Sequence, residues 1–300
     1  MSSGGPPPPS GGRIEVETTD GVTIAVHDLG GDREASTLVI CHATGFCGRA
    51  YGPLAEGLTS RYHVLAVDFR GHGDSTRPEN GNFDWPSMSD DLLAVLDRMT
   101  ASGGIAAGQA VYGFGHSLGG GLLLLAEARR PGTLDGAYLF EPIVLPDLAR
   151  LPPGTTLAPD DMSSVARKRR PSFASKQEAL MRYASRPPLA ELQAGSLAAY
   201  VEHGMSVAPD GTAFLKCRPE DEAATFEAPG KPTVATVSSV KTPTTVAIGT
   251  TSAGWSPALL GPALAEALPN GRLERDDGLG HFGPLQSPAL VASRVLAALG

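Results

Sequence analysis

The stretch Gly115-His116-Ser117-Leu118-Gly119 holds a serine in a setting suited to nucleophilic chemistry. A serine hydroxyl is a weak nucleophile at neutral pH and needs a base to take its proton and a third group to orient that base. It must also stand clear of the backbone, which a sharp turn achieves only if small residues two positions to either side let neighbouring backbone pass. Gly115 and Gly119 meet that need. With 37 glycines in 300 residues the pattern alone is weak, since chance supplies roughly a third of an occurrence in such a chain. The bland alternative is a glycine-rich helix start without chemistry. The context favours the first reading, because an apolar run, Ala110 to Phe114, precedes the motif and helical residues Leu122 to Ala126 follow it.

The elements that must position Ser117 alternate between β-branched runs and helical stretches from Arg13 to Gln109, which predicts a mostly parallel sheet covered by helices. Ile14–Thr18 and Val22–Val26 flank Asp20-Gly21, a hairpin turn signal. Strands follow at Thr37–Ile40 and His63–Val67, with a helix around Arg49–Ser60 between them. Leu92, Val95, Leu96 and Met99 recur at helical spacing over Ser89–Met99. After Ser117 the next strand is Ala137–Phe140, and the alternation returns with Thr244–Ile248, a helix near Pro257–Leu268, a strand at Arg272–Glu274 and a last helix at Pro288–Leu299. Between lie residues with paired prolines at 152/153 and 187/188, helices at Gln177–Ser185 and Leu189–His203, and little strand character before Thr233. Lys216–Glu222 reads as a helix start, with Pro219 and acidic residues in its first turn. The expected organisation is a disordered tail over 1–12, a core over 13–145 and 241–300, and a helical cap inserted over 146–240.

Four features in order make the chain resemble the α/β-hydrolase superfamily over nearly everything except the cap. His42-Ala43-Thr44-Gly45 resembles its oxyanion loop, and Asp68-Phe69-Arg70-Gly71-His72-Gly73-Asp74-Ser75 its Asp-x-Arg-Gly-x-Gly-x-Ser turn. Gly115–Gly119 resembles its nucleophile elbow, and Gly280-His281-Phe282 its terminal Gly-His loop. The resemblance implies an α/β-hydrolase fold, a mostly parallel eight-stranded sheet with helices on both faces and an inserted helical cap. It implies Ser117 as nucleophile, His281 as base, and the backbone N–H groups of Thr44 and Leu118 as an oxyanion hole.

One departure concerns the acid. Most relatives carry it just after the strand here at Thr244–Ile248, where this chain has Gly249-Thr250-Thr251-Ser252-Ala253-Gly254-Trp255. Branches that include the haloalkane dehalogenases carry it one strand earlier, and Glu141 in Leu139-Phe140-Glu141-Pro142 matches that place. Asp276, Asp277, a Ser-His dyad and an inactive site stay open. His42 and His72 read as structural, His116 as a neighbour packed beneath the nucleophile, and His27, His63 and His203 as bland; none has metal-ligand spacing.

Bulk properties prune the remaining classes. A net charge of -8 argues against a nucleic-acid partner, since such partners usually require clustered Lys and Arg, and the one basic run, Arg167-Lys168-Arg169-Arg170, reads as a solvated helix end. No stretch approaches the roughly 20 apolar residues of a membrane span. Cys41, Cys47 and Cys217 are odd in number and lack metal spacing, which suits a cytoplasmic location. No cofactor or metal is expected, and the expected partner is a small-molecule substrate. The first functional reading is hydrolysis of a carboxylic ester or lactone of a small, largely apolar substrate through an acyl-enzyme. The alternatives are a C–C bond hydrolase or cofactor-free, cyclase-like enzyme, and a non-catalytic binding homologue.

Overall fold

The computed structural model describes residues 12–146, 162–252 and 256–300. The tail over 1–11, the Pro152-Pro153 pair and Ala253-Gly254-Trp255 lie outside the described residues. In chain order the strands are β1 (Arg13–Glu17), β2 (Thr23–Gly30), β3 (Thr37–Cys41), β4 (His63–Val67), β5 (Val111–His116), β6 (Gly136–Phe140), β7 (Ser172–Phe173), β8 (Met205–Val207), β9 (Ala213–Leu215), β10 (Thr244–Gly249) and β11 (Gly271–Asp276). The helices are α1 (Gly52–Glu56), α2 (Trp85–Ala101), α3 (Leu118–Arg129), α4 (Met162–Arg167), α5 (Lys176–Ala184), α6 (Ala194–Gly204), α7 (Pro219–Glu227), α8 (Val234–Val237), α9 (Ser256–Ala267), α10 (Gly283–Gln286) and α11 (Pro288–Leu299).

Eight strands form one sheet in the order β1-β2-β4-β3-β5-β6-β10-β11, and only β2 runs against the rest. All five residues of β3, of β4 and of β6 are buried, as strands covered on both faces must be. Side chains alternate between two cores because strand period is two. Val39, Cys41, Leu65 and Val67 pack with α2 and α3 on one face, whereas Leu38, Ile40, Val64 and Ala66 pack with α1 and α11 on the other. Each Val, Leu or Ile among them contributes about 1.5–3 kcal/mol by leaving water, so the sheet is a stiff platform for whatever stands on its edge.

Local signals shift several boundaries. Helix α2 begins at Trp85 rather than Ser89, because the Asp84 side chain accepts from Ser87 N at 2.6 Å and Pro86 fits the first turn. The helix expected over Arg49–Ser60 is a 3-10 turn at Gly48–Tyr51 followed by the short α1. That expected over Leu189–His203 breaks into a turn at Leu189–Glu191 and α6, which restarts where the Gln193 side chain accepts from Ser196 N.

Between β6 and β10 the described residues contain α4 to α8 and also a small antiparallel sheet, β7-β9-β8. These strands are two or three residues long, too short for alternation to register in the sequence. Their hairpin turns at Asp210-Gly211, where Ala208 N donates to Thr212 O and Gly211 takes a φ of 88°. A bridge between Leu145 and Thr233 ties the start of this insertion to its end. No helix among the described residues is long and apolar enough to cross a membrane.

Candidate active site

Ser117 stands where β5 ends and α3 begins, at φ 54° and ψ −112°. A non-glycine residue there stores about 1–3 kcal/mol of strain. The surroundings enforce it: Ser117 N donates to Phe140 O at 3.0 Å, Ser117 O accepts from Gly121 N and Ile143 N, and Gly119 N donates to His42 O. A methyl on Gly115 would lie 2.5 Å from Gly120 Cα, and one on Gly119 would strike the carbonyl of Cys41. Only glycine therefore lets β3, β5 and α3 close around the serine. Leu118 is the first residue of α3, and its N–H belongs to the helix end that carries partial positive charge.

Glu141 directly follows the neighbouring strand β6, also at a positive φ, 44°, and is fully buried. Its Oε1 accepts from Gly249 N at 2.9 Å and its Oε2 from His281 Nδ1 at 2.7 Å. That bond makes Nδ1 the protonated nitrogen and leaves Nε2 as the basic one. A side chain on Gly249, the last residue of β10, would run into the carbonyl of Leu279, in the loop that carries His281, and its backbone N–H is the one that holds Glu141. Asp276 is buried against Tyr138 OH (3.4 Å) and Arg294 Nε (3.4 Å), and burial raises its pKa; Asp277 is exposed.

His116 does more than pack. Its Nδ1 accepts from Tyr51 O–H at 2.7 Å and its Nε2–H donates to the carbonyl of His281 at 2.7 Å. Tyr51 in turn accepts from Ala43 N at 3.1 Å. One buried chain of hydrogen bonds thus joins the loop before Thr44 to the loop of His281. Burial, with His281 close by, pushes the His116 pKa well below normal, so the ring stays neutral. Tyr51 escaped the sequence reading because nothing local marks it: its partner is 65 residues away. His42 is also structural, accepting from Phe69 N and donating to Ala43 O, with burial driving its pKa down to about 3. Thr44 follows it, half-buried, in a turn.

Among the described residues one group, His27, Asp68 and Asp74, brings three ligand-type side chains within 4.8 Å. Asp68 accepts from Gly48 N, Asp74 N and His27 Nε2, and Lys216 sits on Asp74 at 2.5 Å. Those bonds fasten the Asp68–Ser75 turn and leave the carboxylates engaged.

The basic run departs from expectation. Arg167 pairs with Glu227 and Arg170 with Glu178 at the surface, but Arg169 turns inward, bonding Glu222 through Nη1 and Tyr200 OH through Nη2 at 2.6 Å. A lone cationic run looks the same whether or not one member has a distant counter-ion. Here Glu222, 53 residues on and in the first turn of α7, makes the burial affordable.

This strand order, with its single reversed strand and a strained serine at the β5–α3 junction, defines the α/β-hydrolase class. The chain belongs to the alpha/beta hydrolase family, whose model matches residues 38–294. It is 29% identical over 122 residues to RutD of Caulobacter sp. (strain K31), which bears the name of a carbamate hydrolase, covering 41% of this chain and 42% of that one. It is 35% identical over 77 residues to 1H-3-hydroxy-4-oxoquinoline 2,4-dioxygenase of Pseudomonas putida, covering 25% and 28%. It is 32% identical over 109 residues to the monoglyceride lipase of Homo sapiens, covering 36% and 35%. The matches thus span less than half of these relatives' own lengths. The solved structure of E-2-(acetamidomethylene)succinate hydrolase superposes with a TM-score of 0.74 at 19% identity, covering 96% of this chain and 98% of that one, a likeness of fold.

Proposed function

We propose that the protein is a serine hydrolase that cleaves a carboxylic ester or lactone of a small substrate with an apolar body, using Ser117, His281 and Glu141. The observation that carries this reading is the 2.7 Å bond from His281 Nδ1 to the buried Glu141 carboxylate, one strand over from Ser117. His281 Nε2 takes the Ser117 proton as Oγ attacks the acyl carbon. The carbonyl oxygen becomes an oxyanion, held by the N–H groups of Thr44 and Leu118 at the positive end of α3. The tetrahedral species collapses, the protonated imidazole gives its proton to the leaving alkoxide, and Glu141 stabilises the imidazolium meanwhile. Water, deprotonated by His281, then releases the acid by the same steps in reverse.

In this reading residues 146–240 act as a cap that covers the substrate. Three buried free thiols fit a reducing cytoplasm. Ester relatives such as the monoglyceride lipase support the reaction class. A second reading, a cofactor-free non-hydrolytic step at the same residues, draws on the similarity to a protein named as a dioxygenase. Short p-nitrophenyl esters and a fluorophosphonate probe separate the two. Turnover that disappears in Ser117→Ala, with probe label at Ser117 of the unaltered protein, is the expected result. Unchanged turnover in that variant, or no label, would sink the serine reading.

A further inference from the structure

We propose that Arg169 and Tyr200 form a carboxylate subsite beside the oxyanion loop, so that the preferred substrate is a short ester carrying a carboxylate a few bonds from its scissile carbonyl. This rests on the serine-ester reading above and narrows it.

The first ground is what the two side chains have left to offer. A guanidinium has five N–H donors and no acceptor. Bonds to Glu222 and Tyr200 OH engage two of them, and the side chain is 21% exposed. Tyr200 accepts from Arg169 through its oxygen, which leaves its O–H as a donor that makes no hydrogen bond among the described residues. The pair therefore presents donors only. A planar, charged set of donors matches a carboxylate, which is acceptor-only and can bind a guanidinium through both oxygens.

The second ground is position. A methyl built on Gly45 would lie 3.1 Å from Arg169 Nη1 and 2.6 Å from Glu222 Oε1, so the ion pair rests directly on the residue after Thr44. Consecutive Cα atoms are about 3.8 Å apart, which sets the guanidinium within about two residues' lengths of the proposed oxyanion donor. Between the subsite and the base runs an apolar wall. The ring of Phe46 packs on Tyr200 at 4.8 Å and on Phe282 at 5.6 Å, and Phe282 packs on His281 at 5.4 Å. A substrate with an ester at one end, methylene groups in the middle and a carboxylate at the other fits that sequence of surfaces. Glu222 holds the guanidinium in place while the subsite is empty, and its own negative charge works against a bound anion.

That opposition gives a test by sign. Values of kcat/KM for monomethyl glutarate and for methyl butyrate, esters of similar length with and without the charge, are measured in the unaltered protein, Arg169→Gln and Glu222→Gln. The unaltered protein is expected to favour monomethyl glutarate. Arg169→Gln lowers that preference by about 10- to 100-fold, chiefly through KM, whereas Glu222→Gln raises it. A pair that only braces the loop predicts parallel losses on both esters in both variants, and that outcome overturns the proposal, as does a preference for methyl butyrate. Glutarate binding by calorimetry is read separately from turnover. If no ester is hydrolysed, the serine-ester reading fails, yet glutarate binding that is lost in Arg169→Gln upholds the subsite. No glutarate binding overturns it.

Discussion

Two groups of polar side chains gather around the Ser117 end of the sheet, and they are held in different ways. Ser117 and Glu141 directly follow adjacent parallel strands, both at a strained positive φ, 54° and 44°, and Glu141 is fixed further by Gly249 N. His281 is gripped at its ring by Glu141 and at its carbonyl by His116. Arg169, Tyr200 and Glu222 come instead from the loop after α4, from α6 and from α7, and bond one another through side chains alone. Backbone fixed by a buried sheet keeps one geometry. A side-chain network between helices can be altered while that geometry stays. In the reading proposed above, the reaction belongs to the sheet edge and selectivity to the insertion.

The hardest blow to the sheet-edge group is Glu141→Gln. Gly249 N needs an oxygen, so the amide must turn its NH2 toward His281, and Nδ1 is then forced to accept rather than donate. The wrong nitrogen carries the proton, and kcat on a p-nitrophenyl ester is expected to fall about 10³- to 10⁴-fold, with an unchanged circular dichroism melt. Near-normal turnover would show that Glu141 orients nothing. Gly249→Ala comes next. Its methyl meets the backbone of Leu279 rather than a movable side chain, so the His281 loop must shift. The expected cost is about 1–3 kcal/mol in urea unfolding, with a loss of roughly 10- to 100-fold in kcat, since misplacement of a base by about 1 Å is enough for that.

Much of the sheet was legible because its information is local. Runs such as Thr37–Ile40 and His63–Val67 are apolar, β-branched and bounded by turn residues, and they are strands in the structure. The strand-turn-helix around Ser117 was readable for the same reason, as was the empty acid position after Ile248. What the sequence hid is what depends on distant partners. Tyr51 gains its role from His116, 65 residues on, and Arg169 from Glu222, 53 residues on. Strands β7 to β9 hid because two or three residues cannot display a period. The bond from Gly249 N to Glu141 and the loop lying on Gly249 exist only in three dimensions.

Acid should loosen the sheet-edge group early. Burial lowers the pKa of His42 to about 3, and lowers those of His72 and His116 as well. In the unfolded chain these imidazoles bind protons near pH 6.5, so between that value and their folded pKa values the unfolded state holds more protons. Their stabilising contribution is complete above pH 6.5 and falls as the pH drops below it, by up to about 1.4 kcal/mol per pH unit for each ring. Asp68, whose burial is outweighed by its bonds to His27 and to Asp74 N, has a lowered pKa and gives way only below the ordinary carboxylate range. Urea unfolding followed by fluorescence of the buried Trp85 should therefore show stability declining from pH 6.5 to 5. A flat profile over that interval would mean that the three rings do not stay neutral in the folded protein.

The smallest effect on rate is expected from Tyr51→Phe, and it tests the comparison most finely. The change removes the donor to His116 Nδ1 and the acceptor of Ala43 N, leaving two buried polar groups without partners. Each such group costs about 1–3 kcal/mol, so the melting temperature should fall clearly. Ser117 and Glu141 owe their conformations to strand ends and not to Tyr51, and kcat should therefore drop by no more than about tenfold. A larger loss of kcat with an unchanged melting temperature would reverse the assignment. The side-chain wire from Ala43 through Tyr51 and His116 would then be what holds the oxyanion loop and the His281 loop in register, with the sheet only supporting it.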